Sequence, residues 1–221
     1  SIFWLYMLPF LLVYSIVVNG LKLSIQAVVT GQYENPDAMS YGGNKHEIEL
    51  KLFYEKISQY LNENSRVYHI DVHTGFGKYL NEYLMVESES VRDTLSTIFS
   101  NANFYVNSTD PEYKNMKGGM LQGFEYLLQL YGKTSIESYT GIVQEFGTVN
   151  FSGIPIFITL RSSNFWRNYH LENYCTHDGL RSKLYELFNP TTLEFHTLTT
   201  EHGRNRVVEL IDAIATSIET K

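Results

Sequence analysis

Two segments of the chain carry side chains able to do chemistry: Ile70-Asp71-Val72-His73-Thr74-Gly75-Phe76-Gly77 and Glu145-Phe146-Gly147-Thr148. In each, an apolar run ends on one chemically capable side chain and then on glycine. In open α/β folds, functional groups collect at the carboxyl ends of strands. A histidine at one strand end and a glutamate at another suit a metal ligand and a general base. Asp71, two residues before His73, lies on the same face of the strand and could buttress the imidazole. A hydrogen-bonded strand-end histidine is the plain alternative for His73. For Glu145 the alternative is a buried ion pair, for instance with Arg161. Partial burial would raise the pKa of Glu145 toward the range of a working base.

Other chemistries find less support. There is no Gly-x-Ser-x-Gly elbow, no phosphate loop and no dinucleotide fingerprint. Cys175 with His177 reads as an ordinary loop thiol rather than a nucleophile. His196 and His202 read as surface or satisfied histidines. Arg204-Asn205-Arg206 reads as a surface cluster at a helix start. His46-Glu47-Ile48-Glu49 has the His-x-x-Glu spacing of a metal-ligand pair, but such pairs also occur on exposed helix faces.

The elements that must position His73 and Glu145 follow from periodicity. Arg66 to Val72 and Thr140 to Phe146 read as strands, continuous enough in apolar character to be buried on both faces, as in a parallel sheet. His46 to Leu61 reads as an amphipathic helix burying Ile48, Leu52, Phe53, Ile57, Tyr60 and Leu61. Further helices are expected at 21–29, 90–99, 121–130 and from Pro155 to about Tyr169. Two more are expected: one capped by Asp178 and stopped by Pro190, and one from Arg204 to Ser217 packing Val207, Leu210, Ile211 and Ile214. Residues 101–119, rich in Asn, Asp and Gly, read as a long surface loop.

The bulk numbers fit one α/β unit. The 221 residues can bury a real core. The net charge of −7 speaks against a nucleic-acid partner. The single cysteine, Cys175, cannot form an internal disulfide, which leans toward a reducing, cytoplasmic setting. The sequons at Asn107 and Asn150 pull weakly the other way. Residues 1–20 form an apolar segment, interrupted by Pro9 and without a basic leader. A core helix is the favoured reading of it, and a membrane span over residues 2–18 the alternative.

Taken together, the two glycine-turn segments resemble the zinc carboxypeptidase superfamily, most closely a branch of carboxypeptidase-like proteins carrying His-Thr-Gly-x-Gly. Gly31-Gln32-Tyr33, Pro36, Tyr41-Gly42-Gly43, Leu160-Arg161, Asn164 and Trp166 agree with it, and the likeness runs from Leu21 to Ile214. The resemblance implies a mixed sheet flanked by helices over residues 21–221. It implies His73 as the last zinc ligand and Glu145 as the catalytic base. It also implies hydrolysis of a peptide or small amide substrate, in which zinc polarises the carbonyl and acidifies its bound water. A loop tyrosine often assists in the family; Tyr126, Tyr131 and Tyr139 are the candidates.

The sequence departs from the family in its first two ligands, a His-x-x-Glu that lies further upstream of the last histidine than the 72 residues available here. The Asn-Arg pair that holds a substrate carboxylate is missing as well. The chain is therefore expected to be the C-terminal two-thirds of such a domain. A catalytic zinc takes three protein ligands plus water, so tight zinc binding by this chain is not expected. The alternative is a non-catalytic relative serving as a binding or interaction module.

Overall fold

The computed structural model describes residues 31–36, 41–75, 77–106, 121, 123–124, 126, 138–148, 182 and 185–219. Among the described residues, four strands form one open mixed sheet: β1 (Arg66–Thr74), β2 (Glu82–Val86), β3 (Phe104–Val106) and β4 (Ser138–Phe146), in the order β1-β4-β2-β3. β4 pairs parallel with β1 and antiparallel with β2, while β2 and β3 run parallel. Helices α1 (Ile48–Ser58), α2 (Glu89–Ser96) and α3 (Leu193–Glu219) flank it. The chain is thus α/β, with a mixed sheet between helices.

The inner strand explains why the two glycine-turn segments meet. Gly141 through Thr148 are all buried, as a strand paired on both sides and covered on both faces should be. One face, through Ile142, Leu84 and Val86, packs on Leu95 and Phe99 of the α2 region and on Leu210 of α3. On the other face, Val143 and Met85 pack on Leu121, and Tyr54 of α1 packs on Phe124 beside Val67 and Tyr139. Ser88 opens α2 by accepting a hydrogen bond from the Val91 amide, the usual way a serine satisfies an unpaired helix donor.

Several sequence expectations give way here. β1 is not buried on both faces: among the described residues it pairs only with β4, and Val72 is 60% exposed. α1 buries a different stripe from the one periodicity suggested. Tyr54 and Ser58 are buried, with Leu50 and Leu61 packed beside them, while Ile48, Leu52, Phe53 and Tyr60 face outward. Two apolar stripes run along this helix, and contact with Phe124 selects the one carrying Tyr54.

β2 had no counterpart in the sequence reading, and β3 lies inside the stretch read as loop. α3 starts eleven residues before Arg204. Thr192 supplies its start, accepting from the Phe195 amide through its hydroxyl and from the His196 amide through its carbonyl. Gly203 sits within the helix. Leu210 and Ile214 of α3 do face the core, but Val207 and Ile211 are exposed. The helices expected at 21–29 and 155–169, the apolar segment 1–20, Asp178 and both sequons lie outside the described residues. No described helix is long and apolar enough to cross a membrane.

Candidate active site at the strand ends

Parallel pairing of β1 and β4 places His73 directly opposite Glu145. Paired residues on neighbouring strands share a face, so the two side chains project together: His73 Nδ1 lies 3.9 Å from Glu145 Oε2. Asp71 also projects from that face, and its Oδ2 is 3.1 Å from His73 Nε2. The imidazole therefore stands between two carboxylates, one on each ring nitrogen. The three residues singled out in the sequence are brought together at the strand ends.

Electrostatics follow from this arrangement. The hydrogen bond that His73 donates to Asp71 raises the His73 pKa above its ordinary 6.5; burial opposes the rise, and the charges of Asp71 and Glu145 add to it. The same hydrogen bond holds Asp71 below its ordinary 3.8 against the effect of burial. Glu145 is buried, whereas His73 is half exposed. The site is open on the imidazole side and closed on the carboxylate side.

The glycine turns hold these strand ends in place. The Gly75 amide donates to the Phe146 carbonyl, Leu80 donates to Gly147, and Gly147 donates to Asn81. The Thr148 hydroxyl donates to the Gly75 carbonyl. The two chain segments lie so close that a Cβ on Gly147 would come within 2.6 Å of the Gly77 carbonyl carbon. The close approach at Gly77 is made by the chain's own backbone after Glu145.

Other candidates sit elsewhere. His46 and Glu49 are both exposed at the start of α1. The Tyr139 hydroxyl is 3.0 Å from His69 Nδ1, and Tyr139 lies six residues back along β4 from Glu145, roughly 20 Å away at the rise of a strand. Tyr126 is exposed and faces the His46 ring. Neither tyrosine stands at the carboxyl ends of the strands. Tyr131, Arg161, Cys175 and His177 lie outside the described residues. Among the described residues no group of three or more metal-ligating side chains is gathered for one ion. Asp71 and Glu145 approach opposite nitrogens of His73, so they cannot share with it a single metal bound at one nitrogen.

Two features were missed in the sequence. Arg206, read as surface, is buried on the reverse face of the sheet and bonds Glu82 through Nε at 3.0 Å and through its terminal nitrogen at 2.7 Å. Gln144 and His202 donate to the same carboxylate. Burial pushes Glu82 up, but the bonds from Arg206, Gln144 and His202 together outweigh it and hold the carboxyl below its ordinary 4.5. Gln144 precedes Glu145 in β4, so this cluster anchors the strand directly beneath the site. The second feature is Tyr83, paired in register with Glu145 from the β2 side. The sole sequence signal for either was the short apolar run Tyr83 to Val86 after the glycine turn.

No curated protein and no solved structure matches the chain. Residues 11–202, most of its length, match the family described as "Protein of unknown function (DUF2817)", and the chain belongs to that family.

Proposed function

We propose that the chain carries part of a zinc-dependent, carboxypeptidase-like hydrolytic centre, with Glu145 as the base and His73 as one metal ligand, and that it is catalytically incomplete by itself. The observation that carries this reading is the register pairing of His73 with Glu145 at the carboxyl ends of two parallel strands. Asp71 holds His73 Nε2, which fixes the ring and leaves Nδ1 as the ligating nitrogen, the usual arrangement of a supported metal histidine. The described residues do not fit a whole catalytic zinc site, which needs three protein ligands and an open position. The chain's own part is therefore to position a base and one imidazole for a peptide or small amide substrate.

The test is zinc content and hydrolysis of acylated dipeptides, for the 221-residue chain and for the product of any coding sequence upstream of Ser1. The chain alone is expected to hold well under one zinc and to hydrolyse nothing. A product that carries a further His-x-x-Glu upstream of Ser1 is expected to hold one zinc, lost on His73→Ala. Glu145→Gln is expected to abolish hydrolysis with the zinc retained. Zinc that survives His73→Ala, or hydrolysis that survives Glu145→Gln, sinks the proposal.

A second reading, a non-catalytic binding module, draws on the same geometry. Both nitrogens of His73 face carboxylates, so the imidazolium is satisfied with no ion present. Full-length protein that binds acylated peptides without zinc and without turnover would favour this one.

A further inference from the structure

At the level of the site, three consecutive strands present one side chain each to the same face: His73 from β1, Glu145 from β4 and Tyr83 from β2. Residues directly opposite each other on antiparallel strands have Cβ atoms about 5 Å apart, so the base of the Tyr83 side chain lies beside that of Glu145. Its ring extends over the turn that follows His73. A Cβ on Gly77 would sit 2.5 Å from a Tyr83 ring carbon, so only glycine leaves room for the ring there. Tyr105 supports it edge-on, with centroids 5.5 Å apart and planes at 82°.

The hydroxyl of Tyr83 is half used. Asn81 Nδ2 donates to it at 3.2 Å, which occupies one acceptor position, and among the described residues it donates to nothing. A phenol can accept and donate at once. A phenol that is fixed by its ring, aligned by an amide and still carrying its proton is a ready donor to a ligand oxygen. Tyr83 is only partly exposed, so its ring is already ordered and little entropy is lost on using it.

Resting on the hydrolytic reading above, we propose that Tyr83 is the substrate-contacting hydrogen-bond donor of the site, giving its phenolic hydrogen to a carbonyl or carboxylate oxygen of an acylated peptide held against Glu145. This role belongs to a strand residue fixed in place, and not to Tyr126 or Tyr139.

The probe is N-acetylglycylleucine, titrated into the 221-residue chain while the backbone amides of Glu145 and Gly147 are followed by NMR. Tyr83→Phe keeps the ring against Gly77 and removes the hydroxyl, deleting the donor and also the acceptor that Asn81 Nδ2 uses. It is expected to weaken binding about tenfold, the scale of one hydrogen bond, with the melting temperature lowered only slightly by loss of the Asn81 bond. Tyr83→Phe that binds as tightly as the parent chain overturns the inference. If Glu145→Gln weakens binding in that same series, the site reading stands while the inference falls. If Tyr83→Phe weakens binding but Glu145→Gln does not, the inference stands and Glu145 is left to act as a base without contributing to binding. A parent chain whose Glu145 and Gly147 amides do not respond to the peptide overturns both.

Discussion

Asp71 and His73, two residues apart on one face of β1, form a hydrogen-bonded ion pair 3.1 Å long that shifts both groups in opposite directions. His73 titrates above its ordinary 6.5, so its contribution to stability is fully present below 6.5 and is lost as pH rises through the raised value. Asp71 titrates below its ordinary 3.8, so its contribution is present above 3.8 and is lost as pH falls through the lowered value. The pair therefore works at full strength between 3.8 and 6.5. Asp71→Asn is expected to bring the His73 titration down, as read from its ring proton shifts. It should also remove part of the advantage in melting temperature that the parent chain has at about pH 6 over about pH 9. A His73 titration unmoved by Asp71→Asn would show that Asp71 does not govern it.

Arg206 and Glu82 make a different kind of pair, buried and joined at two points between α3 and β2. Removing one partner leaves a charge buried without its counterion, which costs about 3–5 kcal/mol. Arg206→Met is expected to destabilise the fold by that amount in urea unfolding. Replacing Glu82 by Leu together with Arg206→Met is expected to cost less than Arg206→Met alone, since no orphan charge remains. A double variant weaker than the single would show that the pair contributes net stability.

What was legible in the sequence is what local pattern encodes. The apolar runs ending at His73 and Phe146 gave the two strands, and the glycines after them gave the turns. The parallel pairing of those strands then brought His73, Asp71 and Glu145 into contact. What was not legible depended on partners distant in sequence. The same helical spacing fits two stripes of α1, and only Phe124, some seventy residues on, picks the one with Tyr54. Arg206 looks like surface until β2 supplies Glu82, 124 residues away. β2 and β3 are five and three residues long, too short for a two-residue period to stand out. α3 runs through Gly203 because glycine disfavours a helix by only about 1 kcal/mol, an amount the packing of a 27-residue helix overrides.

Leu80 has φ +62°, the left-handed region, in the turn closed by the Asn81 amide on the Lys78 carbonyl. That conformation costs a residue with a Cβ about 1–2 kcal/mol, and asparagine tolerates it better than leucine. Leu80→Asn is expected to be neutral or slightly stabilising despite the loss of partly buried apolar surface. Leu80→Ile, branched at Cβ, is expected to destabilise by about 1–2 kcal/mol. Thermal melts of the two variants decide it, and an Ile variant at least as stable as the Asn variant would mean that the turn relaxes.

Gly147 tests whether the strand ends are held as rigidly as their hydrogen bonds imply. Its missing Cβ would meet the Gly77 carbonyl carbon at 2.6 Å. Because the obstacle is backbone, no side chain can rotate out of the way. Gly147→Ala is expected to destabilise by roughly 1–3 kcal/mol, as overpacking does. It should also push the turn at Gly77 away from the end of β4. Tyr83 rests on Gly77, and Glu145 lies two residues before Gly147, so the displacement reaches the site from both sides. The measurement is amide hydrogen exchange at Gly75 and Leu80, whose bonds to Phe146 and Gly147 join the two segments. Faster exchange at both, with the Ile142 and Val143 amides still protected, is the expected pattern. Unchanged exchange at Gly75 and Leu80 would mean that the turn absorbs a methyl group without moving, and that the two segments are less closely joined than their bonds suggest.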